Sequence, residues 1–308
     1  MESVNSPLTI IGFGSQAKAW ALNLKDSKQD IKIALKKESK SRALADKMGF
    51  TVIDLETDAL KQSDTLVMLI PDDQHSTFLE KNISFIKPGA HLVYAHGFSL
   101  SKFDLTKTYP GLVHSLLAPK AIASEVRYQY EIHGKIGAAY YAPTEKAEKE
   151  LRAISKNAGF TALYKSHFDE ETKADLFSEQ SFLCSILPYV ALKSFNMLRK
   201  NGISQEVAFM ECFLELKSIS QAIVTLGPEA FFNLISPNAL IGAIKGRDLL
   251  LGKEFDASLE TLMKDINDKT FYKEVEMDAD ALRKQISLEW SKEELSEVFK
   301  RLKADLIN

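Results

Sequence analysis

Two pairs of acids invite a chemical reading first. Asp175 and Glu179 stand four residues apart, as do Glu211 and Glu215. On a helix this spacing puts both carboxylates of a pair on one face, where like charges repel. A solvated acidic face is the bland explanation, but the surroundings oppose it. Glu211 and Glu215 lie in Val207-Ala-Phe-Met-Glu211-Cys-Phe-Leu-Glu215-Leu, and a helix apolar on every side is expected to be buried. Asp175 and Glu179 precede Ser181-Phe-Leu-Cys-Ser-Ile-Leu187. Buried carboxylates are costly unless paired or bound to metal, and unbound, one acid of a pair is expected to take up a proton. Ala208, Ser218 and Ala222 continue the Glu211 face with small side chains that leave room for a ligand. Oxygen-only donors without His or Cys spacing favour a hard cation, Mg²⁺ before Mn²⁺. Four carboxylates could hold two such ions roughly 3.5–4 Å apart.

A second group of residues points to a dinucleotide. Gly12-Phe13-Gly14-Ser15-Gln16-Ala17 has the G-x-G-x-x-G/A pattern between an apolar run and an amphipathic one. Gly12 would permit the tight turn, Gly14 the approach of a pyrophosphate, and Ala17 close helix–strand packing. The helix start would add orphan N–H groups and a field favourable to the anion. After the second apolar run, Lys36, Ser39 and Ser41 offer cations and hydroxyls suited to a 2′-phosphate. Glu38 in the same turn would suit a ribose hydroxyl or plain solvent. Pro71, Asp72, Gln74, His96, Gly97 and Lys120 follow later apolar runs, at the level where an open parallel sheet binds its ligand. Taken singly, His96 could be a core histidine and Lys120 a surface lysine.

These residues need a scaffold to bring them together. Apolar runs over residues 8–12, 31–35, 65–70, 91–95, 112–118 and 135–141 alternate with helical patterns at 16–24, 39–48 and 143–157. That rhythm predicts βαβ units and a Rossmann-type parallel sheet covered on both faces. From about residue 166 the strands cease. Residues 168–198 and 204–226 read as long, nearly apolar helices, and shorter helices begin near Pro237, Ala257, Asp278 and Ser291. The expected organisation is α/β plus all-α: a dinucleotide domain over 1–165 and a helical domain over 166–308, with Ser166 as N-cap.

The bulk properties narrow the classes. At 308 residues the chain allows two domains of the usual ~150 residues. A net charge of −3 gives no basic footprint for nucleic acid. Cys184 and Cys212 cannot form a disulfide framework, which suits a reducing cytoplasm. Residues 1–7 lack the charged and apolar regions of a leader, and no apolar run approaches the ~20 residues of a membrane helix.

With those motifs in hand, the chain resembles the ketol-acid reductoisomerases in their short form. The matching segments are 11–24, 71–75, 95–98, 118–120, 174–180 and 211–217, in the family's order, over about residues 8–250. The resemblance implies NADPH, two Mg²⁺ ions, and 2-acetolactate or 2-aceto-2-hydroxybutyrate as substrate. The implied reaction is an alkyl migration followed by hydride transfer, in the biosynthesis of valine and isoleucine. By position, Asp175, Glu179, Glu211 and Glu215 would be metal ligands, with His96 and Lys120 supporting metal waters and proton movement. Ser236 would bind the substrate carboxylate, while Cys184, Ile235 and Ala239 line the pocket. Lys36, Ser39 and Ser41 would take the 2′-phosphate. The helical domains would intertwine in a homodimer, one carboxylate pair coming from each subunit. The chain departs from the family pattern at Ala121–Ser124, Ser178, Ser185–Ile186, Leu214 and Ser218–Ala222. These changes spare the implied ligands and alter the pocket wall. Two alternatives accompany this reading: an NADPH- and Mg²⁺-dependent reductase of another 2-keto acid without the isomerase step, and a non-catalytic dinucleotide-binding homologue.

Overall fold

A computed structural model describes residues 7–274 and 278–306. Residues 1–6, most of the segment read as lacking a leader, lie outside the described residues. The chain divides into two compact units, Met1–Ala174 and Asp175–Asn308.

The first unit is wound around one sheet. In order come β1 (Leu8–Ile11), α1 (Ser15–Asp26), β2 (Ile31–Leu35), α2 (Arg42–Lys47), β3 (Thr51–Asp54), β4 (Thr65–Met68), α3 (His75–Asn82) and β5 (His91–Tyr94). Then follow α4 (Phe98–Phe103), α5 (Leu105–Thr108), β6 (Val113–Pro119), α6 (Ala123–Glu131), β7 (Gly137–Tyr141), α7 (Glu145–Ala158) and β8 (Ala162–Lys165). The eight strands lie in the order β3-β2-β1-β4-β5-β6-β7-β8. Strand order reverses between β1 and β4, and a doubly wound sheet opens its ligand crevice at that point.

The inner strands are buried on both faces, as their continuous apolar runs require. One apolar layer gathers Trp20, Leu24, Leu151 and Phe160, and the other Phe78, Leu79, Leu100 and Phe168. Polar ties fasten helices to this core. Asn23, fully buried, donates to the carbonyls of Val126 (3.3 Å) and Ala158 (2.9 Å), joining α1 to the middle of α6 and the end of α7. His91 meets Glu150 at 3.0 Å and Ser115 at 2.7 Å, joining α7 to the sheet. Thr144 caps α7 by accepting from the Ala147 N–H, and Gly159 ends it at a φ of 90°.

Two expectations about the sheet need correction. β3 and β8 went unread because these four-residue edge strands bury too little to show an apolar run. β7 pairs antiparallel with β6 in a sheet expected to be parallel. Side-chain alternation has the same period in either direction, so the sequence does not encode strand polarity. The chain leaves and re-enters at one end of the sheet, and the Lys120 N–H donates to the Gly137 carbonyl at 2.9 Å. The sheet ends at Lys165 and the next helix begins at Phe168, where Ser166 donates its hydroxyl to Glu170 (2.7 Å).

The helical half comprises α8 (Phe168–Ser178), α9 (Ile186–Lys200), α10 (Gln205–Phe209), α11 (Leu216–Leu226), α12 (Pro228–Leu234), α13 (Pro237–Leu250) and α14 (Lys253–Asn267). It closes with α15 (Phe271–Glu274), α16 (Ala279–Ser291) and α17 (Glu294–Leu306). Phe195, Ala208, Phe209, Leu295 and Val298 form its buried core. The two long helices read from sequence are each interrupted by a π turn, at Glu179–Leu183 and Met210–Leu214. They are also not buried all round: Phe182, Val190 and Met197 of the first and Met210, Ile223, Val224 and Leu226 of the second are exposed. Against expectation, one helical run, Phe168–Lys200, reaches the length and apolar composition of a membrane span. Scattered polar residues hid this from a search for uninterrupted apolar runs. The run also carries Asp169, Glu170, Glu171, Asp175 and Glu179.

Replacing Asn23 by Leu should destabilise the protein by about 2–3 kcal/mol, because two buried carbonyls lose their donor. Urea denaturation followed by circular dichroism checks this; an unchanged midpoint would show that Asn23 is not a structural tie.

Candidate active site

The crevice at the strand-order reversal is built from backbone. Gly12 follows β1 with a φ of +100°, and a Cβ there would come within 2.8 Å of the Leu69 carbonyl oxygen after β4. The close pass of two strand ends therefore excludes any side chain at position 12. Gly14 is extended and immediately precedes α1, and a Cβ there would meet nothing within 4 Å. The start of α1 thus faces open space, with orphan N–H groups that suit a pyrophosphate.

Gly12, Phe13 and Gly14 line a cavity of about 970 Å³ together with Lys36, Lys37, Glu38, Ser39 and Ser41. Arg42 braces the cationic turn by donating to the carbonyls of Leu35 (3.2 Å) and Lys36 (3.3 Å) while pairing with Asp54 at 2.7 Å. Pro71, Asp73 and Gln74 supply the wall after β4, and Thr77 and Lys81 of α3 the far end. Volume, glycine loop and cationic turn fit a dinucleotide carrying an extra phosphate. Ser15, Gln16, Asp72, His96 and Gly97, also expected at the cofactor, are not among the cavity-lining residues. Gln16 donates to the Ala121 carbonyl (3.0 Å).

His96, Gly97 and Lys120 instead converge on a carboxylate that sequence reading missed. Glu171 is buried, with its side chain only 1% exposed. Its Oε1 accepts from Lys120 Nζ at 2.6 Å, its Oε2 accepts from the Gly97 N–H at 2.8 Å, and His96 Nε2 stands 3.7 Å away. Gly97 permits this approach, because a Cβ would lie 2.3 Å from the Phe168 carbonyl oxygen. The missed signal was legible. Glu171, Asp175 and Glu179 repeat every four residues, one acid per turn on one face.

Asp72 is turned toward the same array, with Oδ2 3.5 Å from His96 Nδ1 and Oδ1 3.8 Å from His75 Nδ1. Burial works against its charge, but hydrogen bonding to His96, the nearby imidazoles and the Ser99 backbone N–H outweigh that, holding the carboxyl below its ordinary range. Burial pushes the imidazoles of His75 and His114 below the ordinary 6.5.

In the second unit each acid pair sits at a π turn. The Cys184 N–H donates to the Glu179 carbonyl and the Glu215 N–H to the Met210 carbonyl, both at 3.0 Å over five residues. In a regular α-helix, residues four apart are offset by about 40° around the axis. The π turn over Met210–Leu214 lies between Glu211 and Glu215 and changes that offset, whereas the turn over Glu179–Leu183 begins at the second acid of its pair; such bulges recur at functional sites. The first π turn leads directly into α9, and the second packs against α9. Glu211 and Glu215 are exposed and Asp175 half-buried, so burial of the pairs, expected from the apolar surroundings, is not observed in the single chain. Among the described residues no cation pairs with Glu211 or Glu215. Adjacent like charges with oxygen donors only fit a hard divalent cation. Burial, then Glu179 and Asp175, pushes the Cys184 thiol up.

The residues expected at the substrate are more loosely placed. Ser236 caps α13, accepting from the Ala239 N–H at 3.3 Å. Cys184 and Ala239 are exposed and Ile235 is half-buried. Leu214, a departure from the family pattern, packs against the helical core.

A doubly wound domain with a glycine loop at its crevice, joined to a helical half bearing paired acids, defines a dinucleotide-dependent oxidoreductase. Residues 4–162 match the family described as acetohydroxy acid isomeroreductase, NADPH-binding domain. Residues 168–306 match ketol-acid reductoisomerase, C-terminal domain. The chain belongs to the ketol-acid reductoisomerase family. It is 33% identical over 272 residues to a ketol-acid reductoisomerase (NADP(+)) of Helicobacter pylori strain HPAG1, covering 86% of this chain and 82% of the relative. The counterpart in Helicobacter acinonychis strain Sheeba is 32% identical, with the same coverage. A solved NADH-preferring ketol-acid reductoisomerase from an uncultured archean superposes with a TM-score of 0.84 at 23% identity, over 99% of this chain and 96% of that one, a likeness of fold.

Stability should fall with pH below about 6.5. Burial keeps His75 and His114 from protonating in the fold, whereas the unfolded chain takes up those protons below 6.5. Melting temperatures between pH 7.5 and 5.5 test this; a flat profile would contradict it.

Proposed function

We propose that this chain is an NADPH- and Mg²⁺-dependent ketol-acid reductoisomerase that converts 2-acetolactate or 2-aceto-2-hydroxybutyrate to the 2,3-dihydroxy acid, in cytoplasmic branched-chain amino-acid biosynthesis. The observation that carries the reading is the Lys120–Glu171–His96 array in the dinucleotide domain, in a chain that retains both acid pairs. We assign cofactor binding to residues 1–165, and metal binding, substrate binding and dimerisation to residues 166–308.

Asp175, Glu179, Glu211 and Glu215 would hold Mg²⁺, which would supply Lewis acidity for an α-ketol rearrangement, and the glycine-loop crevice would hold NADPH as the hydride donor. The start of α1 binds the pyrophosphate, while Lys36, Ser39 and Ser41 bind the 2′-phosphate. Glu171 fixes the Lys120 ammonium, so that its positive charge is already in place when negative charge develops on the ketol oxygens. His96 exchanges the proton. Ser236 holds the substrate carboxylate, and Cys184, Ile235 and Ala239 line the pocket. The exposed apolar residues of α11 and α13 support a homodimer, because a soluble monomer rarely leaves so many together in water.

Purified protein should oxidise NADPH with 2-acetolactate only when Mg²⁺ is present. Turnover of 3-hydroxy-3-methyl-2-ketobutyrate without turnover of acetolactate would remove the isomerase step and leave a reductase. Glu211→Gln should abolish turnover and leave NADPH affinity unchanged; full activity would end the metal assignment. Equal kcat/KM for NADH and NADPH would overturn the role of Lys36, Ser39 and Ser41. Sedimentation should give a dimer or a dimer-based assembly, and a stable monomer would refute the shared interface.

A further inference from the structure

We propose that Asp72 is a positioning residue that sets the tautomer and ring orientation of His96, with the Nδ1–H directed at Asp72 and Nε2 left as the proton-exchanging nitrogen. The inference rests on the reading above, in which His96 moves the proton.

The local chain path separates Asp72 from the cofactor. Its neighbours Pro71, Asp73 and Gln74 line the dinucleotide cavity, while Asp72 is not among the lining residues. Its carboxylate stands 3.5 Å from His96 Nδ1, and the Ser99 backbone N–H also favours its charged form. The remaining question is which histidine serves as its donor.

His75 cannot serve while its ring is neutral. Its Nε2 faces the Ile70 carbonyl at 3.1 Å, an acceptor only, so Nε2 must carry the hydrogen. In a neutral imidazole Nδ1 is then an acceptor, matched here by the Ser99 hydroxyl at 2.7 Å. Burial keeps His75 in that neutral form. Its Nδ1 therefore has no hydrogen for Asp72, 3.8 Å away, and the Asp72 carboxylate is left to accept from His96.

The opposite side of His96 agrees. Nε2 stands 3.7 Å from Glu171 Oε2, farther than Nδ1 stands from Asp72, while the Gly97 N–H and Lys120 approach that carboxylate at 2.8 and 2.6 Å. The ring lies parallel to Phe98, with an interplanar angle of 6°, which limits its tilt. A carboxylate behind Nδ1 and a proton-exchanging Nε2 in front is the arrangement by which an acid orients a catalytic imidazole. The 3.5 Å separation is at the long end for a hydrogen bond, as catalytic hydrogen bonds often are before substrate is bound.

Asp72→Asn tests the assignment, because an amide can present N–H to Nδ1 and favour the opposite tautomer. We expect kcat to fall roughly 10–100-fold, the range for loss of a group that orients a ligating or catalytic side chain, with NADPH affinity and melting temperature little changed. In a His96→Gln background, Asp72→Asn should cost nothing further, since a residue acting through His96 has nothing left to act on. Nitrogen-15 spectra of the six histidines, taken at alkaline pH and assigned with His96→Gln, should show a protonated Nδ1 on His96 in the wild type and a shift toward the other tautomer in Asp72→Asn. An equal loss in both backgrounds would overturn the proposal, as would weakened NADPH binding with unchanged kcat, or a wild-type His96 protonated on Nε2. A wild type inactive on every ketol acid would refute the functional reading, while the spectra would still decide the tautomer.

Discussion

The Glu171 carboxylate is the constraint around which the catalytic end of the dinucleotide domain is arranged. A buried acid with its side chain 1% exposed is tolerable only if it is compensated, and here a lysine, a backbone N–H and a nearby imidazole do so. Each partner comes from a different place in the fold: Lys120 after β6, Gly97 and His96 after β5, and Glu171 from α8. Losing Lys120 would leave this buried carboxylate with one backbone N–H and a more distant imidazole, which destabilises the fold. The pair therefore holds the ammonium in place and fixes where α8 meets the sheet. Gly97 belongs to the same constraint, since any larger residue would strike the Phe168 carbonyl.

The cofactor crevice follows a different logic, resting on backbone geometry more than on charge. The positive φ of Gly12 and its close pass by Leu69 bring two strand ends together at the reversal of strand order. The open space beside Gly14 leaves the start of α1 available to an anion. Arg42 then holds the turn bearing Lys36, Ser39 and Ser41 against the end of β2. Charge and hydroxyls at that turn thus stand on a rigid edge, where selectivity for a phosphate depends on position as much as on sign.

The helical half behaves like part of an interface. Its core is small, and apolar side chains of α11 and α13 meet solvent in the single chain. The acid pairs sit at π turns, where regular helix bonding has been given up. Such departures persist where surrounding contacts or function compensate for them. α9 continues the chain from the first turn and packs against the second, so both local irregularities border one element.

By itself the sequence determined the strand–helix alternation, the glycine loop, the cationic turn, the acid pairs and the change to helix near residue 166. Each is local, expressed in the spacing of residues along one element, and local spacing is what a sequence records directly. The edge strands β3 and β8 escaped because they bury little, and the direction of β7 because alternation is blind to polarity. Glu171 was written as the first acid of an every-fourth-residue series, yet nothing local said that it faces inward. Only the tertiary structure decided that Glu171 takes Lys120 and Gly97, that Asp72 turns to His96 while Asp73 turns to the cavity, and that the helix carrying Glu211 stays open on one side. Those outcomes depend on which side chains from distant segments arrive at the same point, and burial and charge compensation are settled there.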